Sequence, residues 1–266
     1  MTWNPTVGHM GAESGDLVSL NIEDGVATVT ICRPRKMNAL SLAVFRGLNQ
    51  AVSQVYSDDS VRAVVVTGAG DKAFSAGADV AELEGLSGPA AYEFAATGQY
   101  VFDQLESLPK PVIAQVNGVA FGGGLELALA CDIRICADSA RFGSPEILLA
   151  NTPGWGATQR LWQTVGVGRA KSMMLTGAPI DAATAMSYGL VTDIAPALDL
   201  SDRVDVLAAR LAQMSPTGVH AIKEAVRAGV TGGMDAGLRA ERNGVAACCG
   251  TPDQTAAVAN FLHERV

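Results

Sequence analysis

The sequence is poor in the residues that most often announce a chemistry. Only three histidines occur among 266 residues, His9, His220 and His263. None stands at metal-ligand spacing from another, and neither H-E-x-x-H nor G-x-S-x-G is present. A Ser-His-Asp hydrolase would have to recruit its base from the far end of the chain. The five cysteines (Cys32, Cys131, Cys136, Cys248, Cys249) are odd in number and form no C-x-x-C pair, which argues against zinc and thioredoxin-like sites and for free thiols in a reducing compartment. Basic residues are outnumbered, 19 against 27 acidic ones, for a net charge of −8. Nucleic acid is therefore an unexpected partner, although a local basic patch can still hold an anionic ligand. No apolar run approaches the ~20 residues of a membrane helix. Residues 1–15 lack the basic and apolar regions of a secretory signal and read as a loose extension. The expected location is the cytoplasm.

Apolar types make up 48% of the chain and charged types 17%, which excludes general disorder. A chain of this length makes one large domain or two modest ones and buries enough surface to need no metal or disulfide staple. Leu17 to Cys32 reads as a β-hairpin turning at Glu23-Asp24-Gly25. Ser41 is placed to cap a helix whose apolar positions, Leu42, Phe45, Leu48, Val52 and Val55, recur every three or four residues. Val61–Thr67 is an almost wholly apolar, β-branched strand, as expected where both faces of a sheet are covered. A helix over about 89–108, strands at Val112–Val116 and Asp132–Ala137, and a short strand near Val191–Ile194 continue an α/β alternation with right-handed crossovers. Pro216 separates two helices in a strand-free C-terminal part. The expected organisation is an extension over 1–15, an α/β core over 16–195 and a helical region over 196–266.

Gly68-Ala69-Gly70 follows a strand but does not lead into a helix, so it fails as a dinucleotide fingerprint. Two other turns are more informative. Ser75-Ala76-Gly77-Ala78-Asp79 follows one buried strand; Asn117 to Gly124 follows another and opens a helix expected over Leu125–Cys131. Small residues let a ligand approach the backbone, and helix N-termini present unpaired N–H groups. Two such turns face to face can grip one oxygen with two amides, the geometry of an oxyanion hole, unless they merely pack strand against helix. Two acids accompany them. Glu126 lies among Leu125, Leu127, Ala128 and Leu129, and Glu146 precedes Ile147-Leu148-Leu149. A carboxylate in apolar surroundings has its pKa raised and suits acid–base chemistry next to a carbonyl.

The stretches Arg33-Pro34 to Asn38-Ala39-Leu40, Ala73 to Asp79, Asn117 to Glu126, Phe142 to Glu146, Pro153-Gly154 and Thr158 to Leu161 occur in an order and spacing that resembles the crotonase superfamily, the enoyl-CoA hydratase/isomerase family, over roughly residues 17–195. The resemblance implies a spiral of ββα repeats followed by a helical trimerisation region, assembled as a homotrimer or a dimer of trimers. It implies that the N–H groups of Ala78 and Gly123 hold the thioester oxygen of an acyl-CoA. Glu126 would activate water, Glu146 would protonate the α carbon, and Gly154 would lie near the water. Arg35, Met37, Ala76, Asp79 and Val80 would line the CoA moiety, with Arg35 a phosphate contact. The implied activity is enoyl-CoA hydration without a metal or redox cofactor, coenzyme A being part of the substrate. A double-bond isomerase and a non-catalytic acyl-CoA or RNA binder are the alternatives. The net charge of −8 argues against RNA, and the presence of both glutamates argues against a silent binder. Trp155 departs from the small residue common in the family and adds bulk to the active-site wall.

Overall fold

The computed structural model describes residues 16–263, so the expected N-terminal extension lies outside the described residues. The chain opens with the expected hairpin, β1 (Val18–Glu23) and β2 (Val26–Ile31). Asp24 and Gly25 have φ of 48° and 80°, the left-handed pair that a two-residue turn between right-twisted strands requires. Helix α1 (Leu42–Ser57) begins at Ser41, whose hydroxyl accepts from the N–H of Val44 at 3.2 Å. Its buried residues, Val44, Phe45, Leu48, Ala51, Val52 and Val55, keep to one helical face.

Three units follow in which a strand of one sheet is succeeded by a short strand of another. These are β3 (Ala63–Gly68) with β4 (Ala73–Ser75), then, after α2 (Gly88–Glu106), β5 (Val112–Val116) with β6 (Val119–Phe121), and, after α3 (Gly123–Leu129), β7 (Ile133–Ala137) with β8 (Arg141–Gly143). Helices α4 (Ala157–Val165) and α5 (Val167–Thr176), strand β9 (Ile180–Asp181), α6 (Ala182–Ser187) and β10 (Asp193–Ala195) complete this part. The larger sheet has six strands in the order β1-β2-β3-β5-β7-β10, parallel from β2 onward. The smaller has the order β4-β6-β8-β9. The chain thus climbs both sheets together, one repeat per turn, as the ββα spiral expectation requires.

Residues of β3 are buried along its whole length, which explains its unbroken apolar sequence. On one side of the large sheet a single core joins it to α1, α2 and α3. The other is covered by α7 (Leu200–Ala212), whose Leu200, Val204 and Ala208 pack on Val65, Ile113 and Ile135. Although α7 falls in the expected C-terminal region, it is part of the core. Only beyond it does the chain leave the sheet, as α8 (Pro216–Gly232), α9 (Met234–Cys248) and α10 (Pro252–His263). None of these three helices has a buried residue. Helices α8 and α9 form a hairpin around Gly233, with Gly229 and Gly237 so close that a Cβ on Gly237 would stand 2.9 Å from Gly229 Cα. Lys223 of α8 ties the hairpin to the body through Asp132 at 2.6 Å. Among the described residues, no helix is long and apolar enough to cross a membrane.

Candidate active site

The turn after β4 is pinned from behind by the segment before α1. Ala76 N–H donates to Met37 O, Leu40 N–H to Gly77 O and Asp79 N–H to Leu40 O. Gly77 N–H is taken by Ser75 Oγ. Between these committed groups the N–H of Ala78 donates to no acceptor among the described residues. The turn after β6 ends at Gly122, with φ of 50°, and α3 starts at Gly123, two residues earlier than the sequence suggests. As the first helical residue, Gly123 has an N–H with no intrahelical partner. The two turns adjoin. A Cβ on Gly77, itself at φ 99°, would meet Phe121 O at 2.7 Å and Gly123 N at 3.1 Å. A Cβ on Gly124 would overlap Ser75 O, so the approach of α3 to β4 depends on glycine at that position.

Every residue of α3 is buried, which carries Glu126 inside with only 1% of its surface exposed. One carboxylate oxygen, Oε1, accepts from Trp155 N–H at 2.8 Å and Ala157 N–H at 2.9 Å. Burial is the largest influence on its ionisation and pushes the pKa up to about 7; the neighbouring Glu146 charge adds to this, while the backbone donors oppose it. Glu146 opens a short 3-10 turn after β8, and its Oε2 accepts from Ser144 Oγ at 2.7 Å. Its other oxygen reaches the second turn, since a Cβ on Gly122 would lie 3.2 Å from Glu146 Oε1.

A cavity of about 680 Å³ collects these groups, within the range of small-molecule sites. Of the residues expected at a site, Ala76, Ala78, Val80, Gly123, Glu126, Glu146, Gly154 and Trp155 all line it. Arg35 and Met37 instead line a neighbouring hollow of about 250 Å³ with Pro34 and Lys72. Asp79 lines neither. Its carboxylate is held by Arg33 at 2.9 Å and Lys36 at 3.4 Å, and it caps the short turn at Val80–Glu82. Although burial opposes ionisation, these cations hold its pKa below the ordinary carboxylate value. Asp79 thus anchors the turn from behind, a role set by partners 46 and 43 positions away. Sequence reading missed the far wall, formed by Leu83 and Leu86 ahead of α2 and by Ala91, Phe94 and Ala95 at its start, and the hydrogen bond of Ser144 to Glu146. The apolar spacing of α2 marks a buried face without saying which part of that face meets open space.

Two amides without partners among the described residues and two carboxylates thus line one largely apolar cavity. The chain belongs to the enoyl-CoA hydratase/isomerase family, whose model matches residues 21–265. It is 40% identical to a short-chain-enoyl-CoA hydratase of Clostridium acetobutylicum and 40% identical to a crotonyl-CoA hydratase of Syntrophomonas wolfei, each over 93% of this chain and 95% of the relative. The fold matches the crystal structure of an enoyl-CoA hydratase from Bacillus anthracis with a TM-score of 0.89 and 37% identity, covering 93% of this chain and 96% of that one.

Proposed function

We propose that this chain is an enoyl-CoA hydratase, adding water reversibly across the 2,3 double bond of an enoyl-CoA. The observation that carries the reading is the convergence on one cavity of Glu126, Glu146 and the N–H groups of Ala78 and Gly123, which have no partner among the described residues. Relatives at 40% identity named as hydratases support it. The thioester oxygen sits between the two amides. Glu126 takes a proton from water as the water oxygen bonds to C3, and the displaced π electrons move through C2 to the thioester oxygen as an enolate. That proton passes from Glu126 to Glu146, which delivers it to C2 as the enolate collapses, so that both carboxylates end as they began and one water has been added. A base whose pKa is about 7 is ionised in a large fraction of molecules at neutral pH while remaining strong enough to accept the proton. Removing either amide from the developing oxyanion costs about 10²–10³ in rate.

The chemistry requires no resident cofactor; coenzyme A arrives with the substrate. Ala76 and Val80 line its path out of the cavity, and Arg35 and Met37, in the adjoining hollow, contact its nucleotide end. Assembly is by trimers or pairs of trimers. The apolar side chains left exposed on α8 and α9, among them Ile222, Val226, Val230 and Leu238, support a partner copy there. All five thiols are free, which supports a reducing, cytoplasmic setting. The deciding experiment follows absorbance of the conjugated enoyl thioester. Hydration bleaches the band from a 2-enoyl-CoA, whereas an isomerase creates it from a 3-enoyl-CoA and a mere binder changes neither.

A further inference from the structure

The geometry points to Trp155 as the residue that limits acyl length, closing the cavity so that it accepts short 2-enoyl chains; this deepens the hydratase reading and rests on it. Trp155 is 4% exposed, yet it lines the cavity together with Phe94 and Ala95 of α2. Its indole is wedged between α2 and the start of α3. A Cβ on Gly98 of α2 would overlap one edge of the ring, and a Cβ on Gly123 of α3 would overlap the other. Phe45 at 4.8 Å, Phe94 at 5.4 Å and Phe102 at 6.1 Å hold the ring edge-on. The backbone is fixed as well: the Trp155 N–H donates to Glu126, and the preceding carbonyl, Gly154 O, accepts from Gln99 Nε2 at 2.7 Å.

The acyl chain starts at the carbonyl held by Gly123, and the indole lies directly on the Cα of that residue. An acyl chain growing toward the gap between α2 and α3 meets the ring after its first few carbons. The ring has nowhere to swing, because two glycine slots and three aromatic neighbours define its rotamer. A methylene that does not fit an apolar pocket costs about tenfold or more in kcat/KM.

The test measures kcat/KM for trans-2-enoyl-CoAs of four and ten carbons on the full-length wild-type chain, Trp155→Phe and Trp155→Ala. The expected result is a wild-type preference for four carbons of at least about tenfold, falling by about tenfold or more in Trp155→Ala and partly in Trp155→Phe. Because Trp155 also donates to Glu126, the ratio between substrates is the readout rather than either rate. Competition by saturated butyryl- and decanoyl-CoA against the wild type decides the same point if Trp155→Ala does not fold, with decanoyl-CoA expected at least about tenfold weaker. Equal wild-type handling of both lengths, or a ratio unmoved by the variants, overturns the role of Trp155 and leaves hydration standing. No turnover of any 2-enoyl-CoA by the wild type overturns both.

Discussion

Replacing Glu126 by Gln should make the protein more stable at alkaline pH and should do so by an amount the structure sets. Glu126 is buried, and its pKa is pushed to about 7 from the ordinary 4.5. The unfolded chain releases this proton near 4.5, so between 4.5 and 7 the folded state binds more protons and stability falls as pH rises. Above 7 both states are ionised and the deficit is constant. At about 1.4 kcal/mol per pH unit, the gap amounts to about 3 kcal/mol. Gln keeps an Oε1 to accept from the N–H groups of Trp155 and Ala157, and it carries no charge at any pH. Wild type and Glu126→Gln should therefore have similar stability near pH 4.5, with the variant gaining progressively to about 3 kcal/mol by pH 8. Urea unfolding followed by tryptophan fluorescence at several pH values across this window measures the difference. A gap that does not change with pH, or a variant less stable at pH 8, would show that the folded state does not bury an ionising carboxylate at this position.

The same substitution should suppress hydration, as should Glu146→Gln, each by about 10²–10⁴; because the two acids act on one water, the double variant should be little worse than the worse single one when bleaching of the enoyl thioester is followed. Gly77→Ala, at φ 99° and with a Cβ 2.7 Å from Phe121 O, should cost about 1–3 kcal/mol in denaturant unfolding, and a variant as stable as wild type would mean that the two turns do not pack this closely. Asn38→Ala removes an acceptor for Arg33 N–H at 3.0 Å and donors to Ala69 O at 3.0 Å and Ala73 O at 2.7 Å; each such bond is worth about 1 kcal/mol, so a loss of about 2–4 kcal/mol is expected by the same measurement. Sedimentation should give a mass that is a multiple of three 27.4 kDa chains, and a monomer at micromolar concentration would count decisively against the trimer.

Legibility in the sequence followed the range of the interactions involved. The β1–β2 hairpin was readable because Asp24-Gly25 encodes its own turn, β3 because burial on both faces leaves a nearly unbroken β-branched run, and β5 because an apolar Val112-Ile113-Ala114 follows directly on Pro111. Strands β4, β6 and β8 have three residues each, too few to show an alternation. Their existence is set by pairing with one another, and so the second sheet could be reached only through the family resemblance. Glu126 was readable as a carboxylate in apolar company. The partners of Asp79 were not readable: the family resemblance implied that it lines the CoA moiety, whereas its side chain is held by Arg33 from another part of the chain. The wall supplied by Phe94 and Ala95 likewise depends on where α2 crosses the cavity, which no local pattern specifies.

The site gathers several unfavourable features in one place. Gly77 and Gly122 hold left-handed backbone, two amides lack partners among the described residues, and a buried glutamate resists ionisation beside a second acid. Such features persist only where the surroundings over-determine them. Here the first turn is stitched to the segment 37–40 by three backbone hydrogen bonds and braced by Arg33–Asp79. The second turn is clamped by the approach of Gly124 to Ser75, and Glu126 is fixed by the amides of 155 and 157. Apart from the amide of Trp155, whose residue lines the cavity, each brace lies outside it and can hold the reacting groups in place without occupying the space the substrate needs. That separation explains why Asp79 and Asn38 stand within the motifs yet contribute to the scaffold, and why their loss should lower stability before it alters the chemistry.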